Sequence, residues 1–364
     1  YEEALAIRLR VSGEAHPETL RVMHTLGWVL SIHHHDKAEG LPLMEKALAM
    51  RRRVLGEDHL DVARSLMELG STGPDLQRRM KLQEEALDIL QRTLGDTHPE
   101  TNVALARCSS NAYHIVGDFR RSLAMQRQAL DHFIERLGDH PYTATATSDI
   151  GHRYLALGRI DEAEAHYKAA HEMCRRLWGT HHFTFMDSLR GMANVHRARG
   201  RLDLALPLQQ QSTALRREVT GPEHGDTIVE IRNLGDLYRE LGDYDQALSL
   251  LMEAYEIGVR KYGAKSRSAA DSLHCLGELN KAMGNDETAC GMLETALALR
   301  RELLGEAHPF TAATLKALGM LYLDSGRIDQ ARPLLEEASA IYRRRLGHNH
   351  AQTKATLTLL HALP

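Results

Sequence analysis

Apolar residues recur at spacings of three and four along this chain, and that spacing predicts amphipathic helices. In one clear segment, from Thr227 to Leu241, the apolar positions are Ile228, Ile231, Leu234, Leu237, Tyr238 and Leu241. A second run from about Tyr244 to Lys261 carries Ala247, Leu250, Leu251, Ala254, Tyr255 and Ile257 on one face. Gly242 separates the two runs and Gly263 ends the second, where we expect a left-handed cap. The segment therefore predicts two paired helices, which we call helix A and helix B.

The pair recurs along the whole chain with a period of about 42 residues. Nine glycines mark the period: Gly13, Gly56, Gly95, Gly138, Gly179, Gly221, Gly263, Gly305 and Gly347. A fixed period of roughly 20–50 residues is the signature of a solenoid, in which each unit buries its apolar face against its neighbours. We therefore expect an all-α chain that forms a single solenoid domain over residues 1–364, with about eight helix pairs.

Several places depart from this plan. His33-His34-His35 replaces a turn glycine, and Pro74 falls within a helix A, so we expect an irregular region around residues 70–80. The chain starts within a helix B and stops after a helix A, which suggests partial repeats at both ends and a fragment of a longer protein.

Residues inside the helices carry a resemblance to a known family. Helix A repeats a small residue at Gly27, Gly70, Gly151, Gly235, Gly277 and Gly319, and an aromatic residue three positions later at Tyr154, Tyr238 and Tyr322. Helix B repeats alanines, as at Ala247 and Ala254. This set resembles the tetratricopeptide repeat. Leu-Gly-x-x-His-Pro-x-Thr at residues 94–101 and 304–311 is similar to the long repeats of kinesin light chains. The resemblance implies a right-handed superhelical solenoid of antiparallel helix pairs, with helices A lining a concave groove. HEAT and armadillo repeats share the period but do not explain these residues.

The amino-acid composition limits the classes of partner that we expect. The net charge is −4 with a pI near 6.6, which does not favour nucleic acid or an anionic membrane. No apolar run approaches the ~20 residues of a membrane span, and no signal peptide is visible. The four cysteines have no metal-ligand spacing and indicate reduced thiols. We expect a cytoplasmic protein that binds another protein or a peptide, with no nucleic acid and no membrane.

The 22 histidines do not indicate catalysis. Eight of them occupy or adjoin the same loop position in successive repeats, and four of these, His16, His98, His140 and His308, precede a proline, which places them at or beside a helix N-cap. His33-His34-His35 could hold a metal weakly, but an irregular polar turn explains it better. No His-Glu-x-x-His, Cys-x-x-Cys or phosphate-binding loop is present. We expect no catalytic residues, no metal and no cofactor.

Positions on helix A that face the expected groove form the candidate ligand-binding site. They are Arg107, Asn111, His114, His152, Arg190, Asn194, Arg197, Arg232, Asn233, Arg239, His274, Lys281 and Lys316. Basic residues seven positions apart, such as Arg190 with Arg197, share one helix face and could bind an extended acidic peptide. Carboxylates three residues before them (Asp187, Asp236, Asp271 and Glu278) could instead neutralise them, and a different surface could also bind the partner. Kinesin light chains carry an Asn-Asn-Leu-Ala-like run here, and only Arg232 and Asn233 match it.

Three functions remain open from the sequence. The preferred one is a non-enzymatic interaction scaffold that binds a peptide or partner segment in the groove, with an acidic segment as one candidate. The second is a regulatory or sensor region of a larger signalling enzyme, such as a kinase, an NTPase or a protease. The third and weakest is an intrinsic enzyme, because no catalytic constellation is visible.

Overall fold

The computed structural model describes residues 1–33, 37–72 and 75–363. These residues form eighteen α-helices and one π-helical turn, with no strand among them, so the expected all-α class is confirmed. The metal-binding interpretation of His33-His34-His35 and the expected effect of Pro74 lie outside the described residues.

The helices alternate between A and B along the chain. They are α1 (Glu2–Ser12), α2 (Pro17–His33), α3 (Lys37–Leu55), α4 (Leu60–Leu69), α5 (Leu76–Leu94), α6 (Pro99–Asn111), the π-helical turn (Ala112–Val116), α7 (Phe119–Leu137), α8 (Pro141–Ala156), α9 (Ile160–Trp178), α10 (Phe183–Ala198), α11 (Leu202–Thr220), α12 (Gly225–Leu241), α13 (Tyr244–Tyr262), α14 (Arg267–Ala282), α15 (Asp286–Leu304), α16 (Pro309–Asp324), α17 (Ile328–Arg345) and α18 (Ala351–His361). The pair predicted at 227–241 and 244–261 is confirmed, although its helix A begins two residues earlier, at Gly225.

The glycines of helix A allow each helix B to approach closely. A Cβ atom at Gly235 would lie 2.9 Å from Leu251 Cγ, and one at Gly319 would lie 2.8 Å from Leu335 Cγ. Both leucines are fully buried. The absence of a side chain at these positions thus lets the leucine of helix B pack directly on the helix A backbone.

Histidines cap the helices A, as the sequence predicts. The Nδ1 atom of His98 accepts a hydrogen bond from the Glu100 backbone N–H at 3.2 Å, and that of His308 does so from Phe310 at 3.1 Å. The imidazole therefore takes the role that Ser, Thr, Asp or Asn usually plays at an N-cap. The repeated histidines are explained by helix initiation.

The glycines that end helices adopt two conformations. Gly242, between helix A and helix B, is left-handed with φ 82° and ψ 5°. Gly263, between repeats, has φ 85° but ψ 161°, so the left-handed cap expected there is wrong. Its backbone is in a region that only glycine adopts readily, which accounts for the strict recurrence of glycine between repeats.

The chain divides into two compact units. The first contains residues 1–115 and 131–135, and the second contains residues 116–130 and 136–364. The single solenoid over residues 1–364 stays a prediction, and each unit is described by itself. In the first unit, helix A of the second repeat is short, because α4 ends at Leu69 and α5 begins at Leu76.

The second unit brings the start of α7 against its C-terminal helices. Arg120 Nη2 donates to the Leu346 carbonyl oxygen at 3.2 Å. A Cβ atom on Gly117 would overlap Pro309 at the start of α16, and φ there is +67°. Residues about 190–230 apart in sequence are therefore neighbours within this unit.

Candidate functional site

Successive helices A lie side by side in the second unit, where α8 contacts α10, α12 contacts α14, and α14 contacts α16. Ten of the thirteen candidate residues lie on these helices. We call the surface that carries them the helix A face. The other three, Arg107, Asn111 and His114, belong to the first unit.

The three residues of the first unit have different surroundings. Arg107 is exposed and its Nη1 donates to Ser71 Oγ at 3.3 Å. Asn111 is buried, and its Nδ2 donates to Gln83 Oε1 at 2.6 Å. His114 is exposed, with its ring edge-on to Tyr113. The Asn111 amide is thus engaged with Gln83 on helix B of the preceding repeat, whereas Arg107 remains accessible.

On the helix A face, Arg190 of α10 connects three helices. Its Nη2 lies 3.0 Å from Asp187 on the same helix and 3.3 Å from His152 Nε2 on α8. Its Nη1 lies 3.3 Å from Glu230 Oε1 on α12. Burial raises the pKa of Glu230, which is fully buried. Its Oε2 atom accepts a hydrogen bond of 2.7 Å from Gln209 Nε2. Arg190 is therefore held by the protein itself.

Arg197 and Arg239 form a second connected group. Arg197 pairs with Asp236 and, at 2.6 Å, with Glu240, both on α12. Arg239 lies 2.8 Å from Asp236 and 3.5 Å from Glu278 on α14. Burial opposes ionisation of Asp236, but the two guanidinium groups outweigh it and hold its pKa at about 2. Asp236 is ionised at neutral pH, and both arginines are neutralised in part.

The remaining cations of the face differ in how closely a carboxylate approaches them. Arg232 has its nearest carboxylate, Asp271, at 3.9 Å. Lys281 pairs with Asp324 at 2.8 Å, and Lys316 Nζ donates to the Gln352 amide oxygen at 2.9 Å. Arg232 and Lys316 are consequently the basic side chains of this face with most capacity left for a ligand.

Two of the expected cations are neutral histidines at physiological pH. Burial, reinforced by Arg190 and Arg153, lowers the pKa of His152 to about 3. Burial and Arg300 lower the pKa of His274 to about 3 as well. The basic ladder predicted from the sequence therefore keeps its arginines and lysines and loses the charge of these two positions.

The carboxylates within each helix were only partly predicted. Asp187 with Arg190 and Asp236 with Arg239 form the expected pairs three residues apart. Lys281 pairs with Asp324 of the next helix A instead of Glu278. Most of the neutralising partners are thus contributed by the following repeat.

Two buried arginines from helices B were missed. Arg216 of α11 donates to Asp187 at 2.7 Å, and Arg300 of α15 donates to Asp271 at 2.8 Å. Both arginines are almost fully buried. They fix the carboxylates that in turn face Arg190 and Arg232. The only sequence signal is an arginine at equivalent positions of helix B in alternate repeats.

The amides of Asn194 and Asn233 complete the face. Both side chains are partly exposed, and neither makes a hydrogen bond to another group of the described chain. Asn194 lies between Arg190 and Arg197 on α10, and Asn233 is adjacent to Arg232 on α12. Each amide therefore offers a donor and an acceptor next to a guanidinium group.

None of the four cysteines forms a disulfide, and burial raises the pKa of Cys174 to about 11. Within the described ranges, no group of three or more His, Cys, Asp or Glu side chains is arranged to hold a metal ion. None of the helices in those ranges is long and apolar enough to cross a membrane.

Several solved structures have folds similar to that of this chain. A Rap protein complexed with Competence and Sporulation Factor is 14% identical with a TM-score of 0.58, covering 94% of this chain and 99% of that one. A STAND protein with a tetratricopeptide repeat sensor from Pyrococcus horikoshii is 14% identical with a TM-score of 0.55, covering 98% of this chain and 50% of that one. A putative kinesin light chain from Podosopora anserina is 23% identical with a TM-score of 0.42, covering 56% and 97%.

Matches to protein-family models assign the chain to a family. The search of curated proteins returned no match. Models of the tetratricopeptide repeat match residues 102–176, 185–258 and 268–344, which is more than half of the chain, and further matches cover residues 19–61 and 75–100. The chain therefore belongs to the tetratricopeptide repeat family, in a form whose repeats are about 42 residues long.

Proposed function

We propose that this chain is a non-enzymatic scaffold that binds an extended protein segment along the helix A face of its second unit. The observation that carries the proposal is the pair of unengaged amides, Asn194 and Asn233, on consecutive helices A. An extended segment presents backbone N–H and C=O groups that need partners, and an amide side chain supplies both kinds.

Rigidity supports the same function. The guanidinium groups of Arg190, Arg197 and Arg239 are fixed by carboxylates from their own and the next helix. A face that is already ordered loses little side-chain entropy when a ligand binds, which favours affinity.

An acidic character of the ligand follows from the cations that are least engaged. Arg232 is 3.9 Å from its carboxylate, and Lys316 contacts only an amide. We infer that acidic side chains of the bound segment would meet these two positions. A uniformly acidic peptide would compete with the internal carboxylates at Arg197 and Arg239, so we expect a ligand with few, spaced acidic residues.

The test is selection of short linear peptides from a random library on the intact chain. Selected peptides should bind the double variant Asn194→Ala/Asn233→Ala at least about tenfold more weakly, since several hydrogen bonds are lost. Gln211→Ala is the control, because Gln211 is an exposed amide on helix B without a hydrogen bond to the described chain. Equal binding to the double variant would refute the proposed face.

A second pair of substitutions tests whether the bound segment is acidic. Arg232→Gln/Lys316→Gln should weaken binding and reduce its dependence on salt between about 50 and about 200 mM. An unchanged salt dependence would reject the acidic ligand and leave the amide contacts as the basis of binding.

A regulatory role within a larger signalling enzyme is the second candidate. The observation that favours it is the fold likeness to a STAND protein that carries a tetratricopeptide repeat sensor. The reading frame that encodes this chain decides, because a neighbouring kinase, NTPase or protease domain would support the role and its absence would reject it.

A further inference from the structure

A cavity of about 340 Å³ lies in the second unit away from the candidate ligand-binding residues. It is open to solvent and is lined by the first half of α7, the turn between α8 and α9, and the C-terminal end of α17. Leu123, Leu157 and Leu346 give it apolar walls. Its volume is at the lower end of small-molecule sites, which span roughly 300–1,000 Å³.

Three arginines line this cavity: Arg120, Arg127 and Arg159. Arg159 pairs with Glu162 at 2.6 Å. Arg120 donates one N–H to the Leu346 carbonyl oxygen. In the part of the chain that the structure describes, neither Arg120 nor Arg127 has a carboxylate within ion-pair distance. The lining therefore has an excess of two positive charges.

The repeat pattern makes Arg120 exceptional. The third residue after the turn glycine is acidic in the five following repeats: Asp161, Asp203, Asp245, Glu287 and Asp329. A carboxylate there is stabilised by the positive end of the helix dipole, and an arginine is not. In the repeat of Gly117 this position is Arg120. Its bond to Leu346 accounts for one of its donors, and Arg127 follows seven residues later on the same helix.

We propose that this cavity binds a phosphate monoester carried on a small apolar group. A phosphate monoester has a charge of about −1.5 to −2 at neutral pH, which matches the excess of two positive charges. Guanidinium groups donate two parallel hydrogen bonds to phosphate oxygens, and Leu123, Leu157 and Leu346 would contact the apolar group. A bound ester would touch both α7 and the end of α17, and so would join the first and last helices that form the cavity.

The proposal is tested by calorimetric titration of the intact chain with phenyl phosphate at constant ionic strength. Arg127→Gln should reduce the affinity about tenfold, as expected for loss of a charge-assisted pair. Arg201→Gln is the matched control, because Arg201 follows the turn glycine of the next repeat as Arg159 does, but it does not line the cavity. Phenyl sulfate, with the same shape and one charge fewer, should bind more weakly than phenyl phosphate.

Two further measurements identify the source of the phosphate ester and show whether its binding is independent of the helix A face. Preference for phenyl phosphate over an acetylated phosphotyrosine amide indicates a free small molecule, and the reverse preference indicates a phosphorylated side chain. Both support the site. The double variant Asn194→Ala/Asn233→Ala should bind phenyl phosphate as the unmodified chain does, so failure of the helix A face would not affect this result.

Three outcomes would overturn the proposal. They are no measurable binding of phenyl phosphate at millimolar concentration, equal affinity of the Arg127→Gln variant, and equal losses from Arg127→Gln and Arg201→Gln. Arg127 is chosen over Arg120 because it is exposed and makes no hydrogen bond to the described chain, so its replacement leaves the contact between Arg120 and Leu346 intact.

Discussion

The contact between helix A and helix B within a repeat is tested by replacing Gly277 with alanine. Gly277 lies on α14, and a Cβ atom there would be 2.7 Å from Leu293 Cγ and 3.0 Å from its Cδ2 on α15. Leu293 is fully buried, and side chains in a protein interior are closely packed. Gly291, which lies within α15, is the matched control, because a Cβ atom there meets nothing within 4 Å.

Two opposing effects determine how much each substitution changes the free energy of unfolding. Alanine is favoured over glycine inside a helix by about 1 kcal/mol, and this gain applies at both positions. Forcing an extra methyl group into a packed contact costs about 1–3 kcal/mol, and this cost applies only at Gly277. We expect Gly277→Ala to lower the free energy of unfolding by about 1 kcal/mol and Gly291→Ala to raise it by about 1 kcal/mol.

The assay is urea unfolding followed by far-UV circular dichroism, with both variants compared with the unmodified chain. Because solenoids need not unfold in one step, amide hydrogen exchange in α14 and α15 should be measured alongside. Local exchange should become faster in Gly277→Ala and slower in Gly291→Ala. If Gly277→Ala stabilised the chain as much as Gly291→Ala, the close approach of the two helices would be wrong.

Two further predictions concern pH and buried charge. Burial lowers the pKa of His308 to about 3, so folding stability should fall as the pH drops from about 6.5 towards 3. His308→Asn, which retains a capping oxygen, should remove about 2 kcal/mol of the loss between about pH 7 and pH 5. The check is urea unfolding at both pH values, and an equal loss of stability in the variant and the unmodified chain would contradict the argument. Burial of Asp236 is outweighed by two guanidinium groups that hold its pKa at about 2, so its contribution is present above about pH 4 and is lost as the pH falls towards 2. Asp236→Asn should therefore cost about 2 kcal/mol at neutral pH, and the exposed control Asp245→Asn less than about 0.5 kcal/mol; similar values would show that Asp236 is not a structural ion.

The repeat was predictable because its signals are local. Apolar spacing gives the helices, the turn glycines give their ends, and a histidine before proline gives the N-cap. Gly263 shows the limit, because positive φ was predictable from glycine but the extended ψ depends on how the next repeat begins. The residue pattern also did not predict the π-helical turn Ala112–Val116, which extends α6 by one turn.

The charge pairs were less predictable because they join different repeats. Arg197 and Glu240 are 43 residues apart, and their contact depends on the register between two stacked helices. Spacing within one helix revealed only the pairs of Asp187 with Arg190 and of Asp236 with Arg239. The cavity could not be predicted from the sequence for the same reason, since Arg120 and Leu346 are 226 residues apart.

The most direct test of the proposed function is photo-crosslinking with a library-selected peptide that carries a photoreactive residue. If the helix A face binds the segment, crosslinks should concentrate on α10 and α12, in the stretches that contain Asn194 and Asn233. Asn194→Ala/Asn233→Ala should reduce their yield, and Gln211→Ala should not. Crosslinks confined to the helices B α11 and α13, or unchanged in the double variant, would contradict the account.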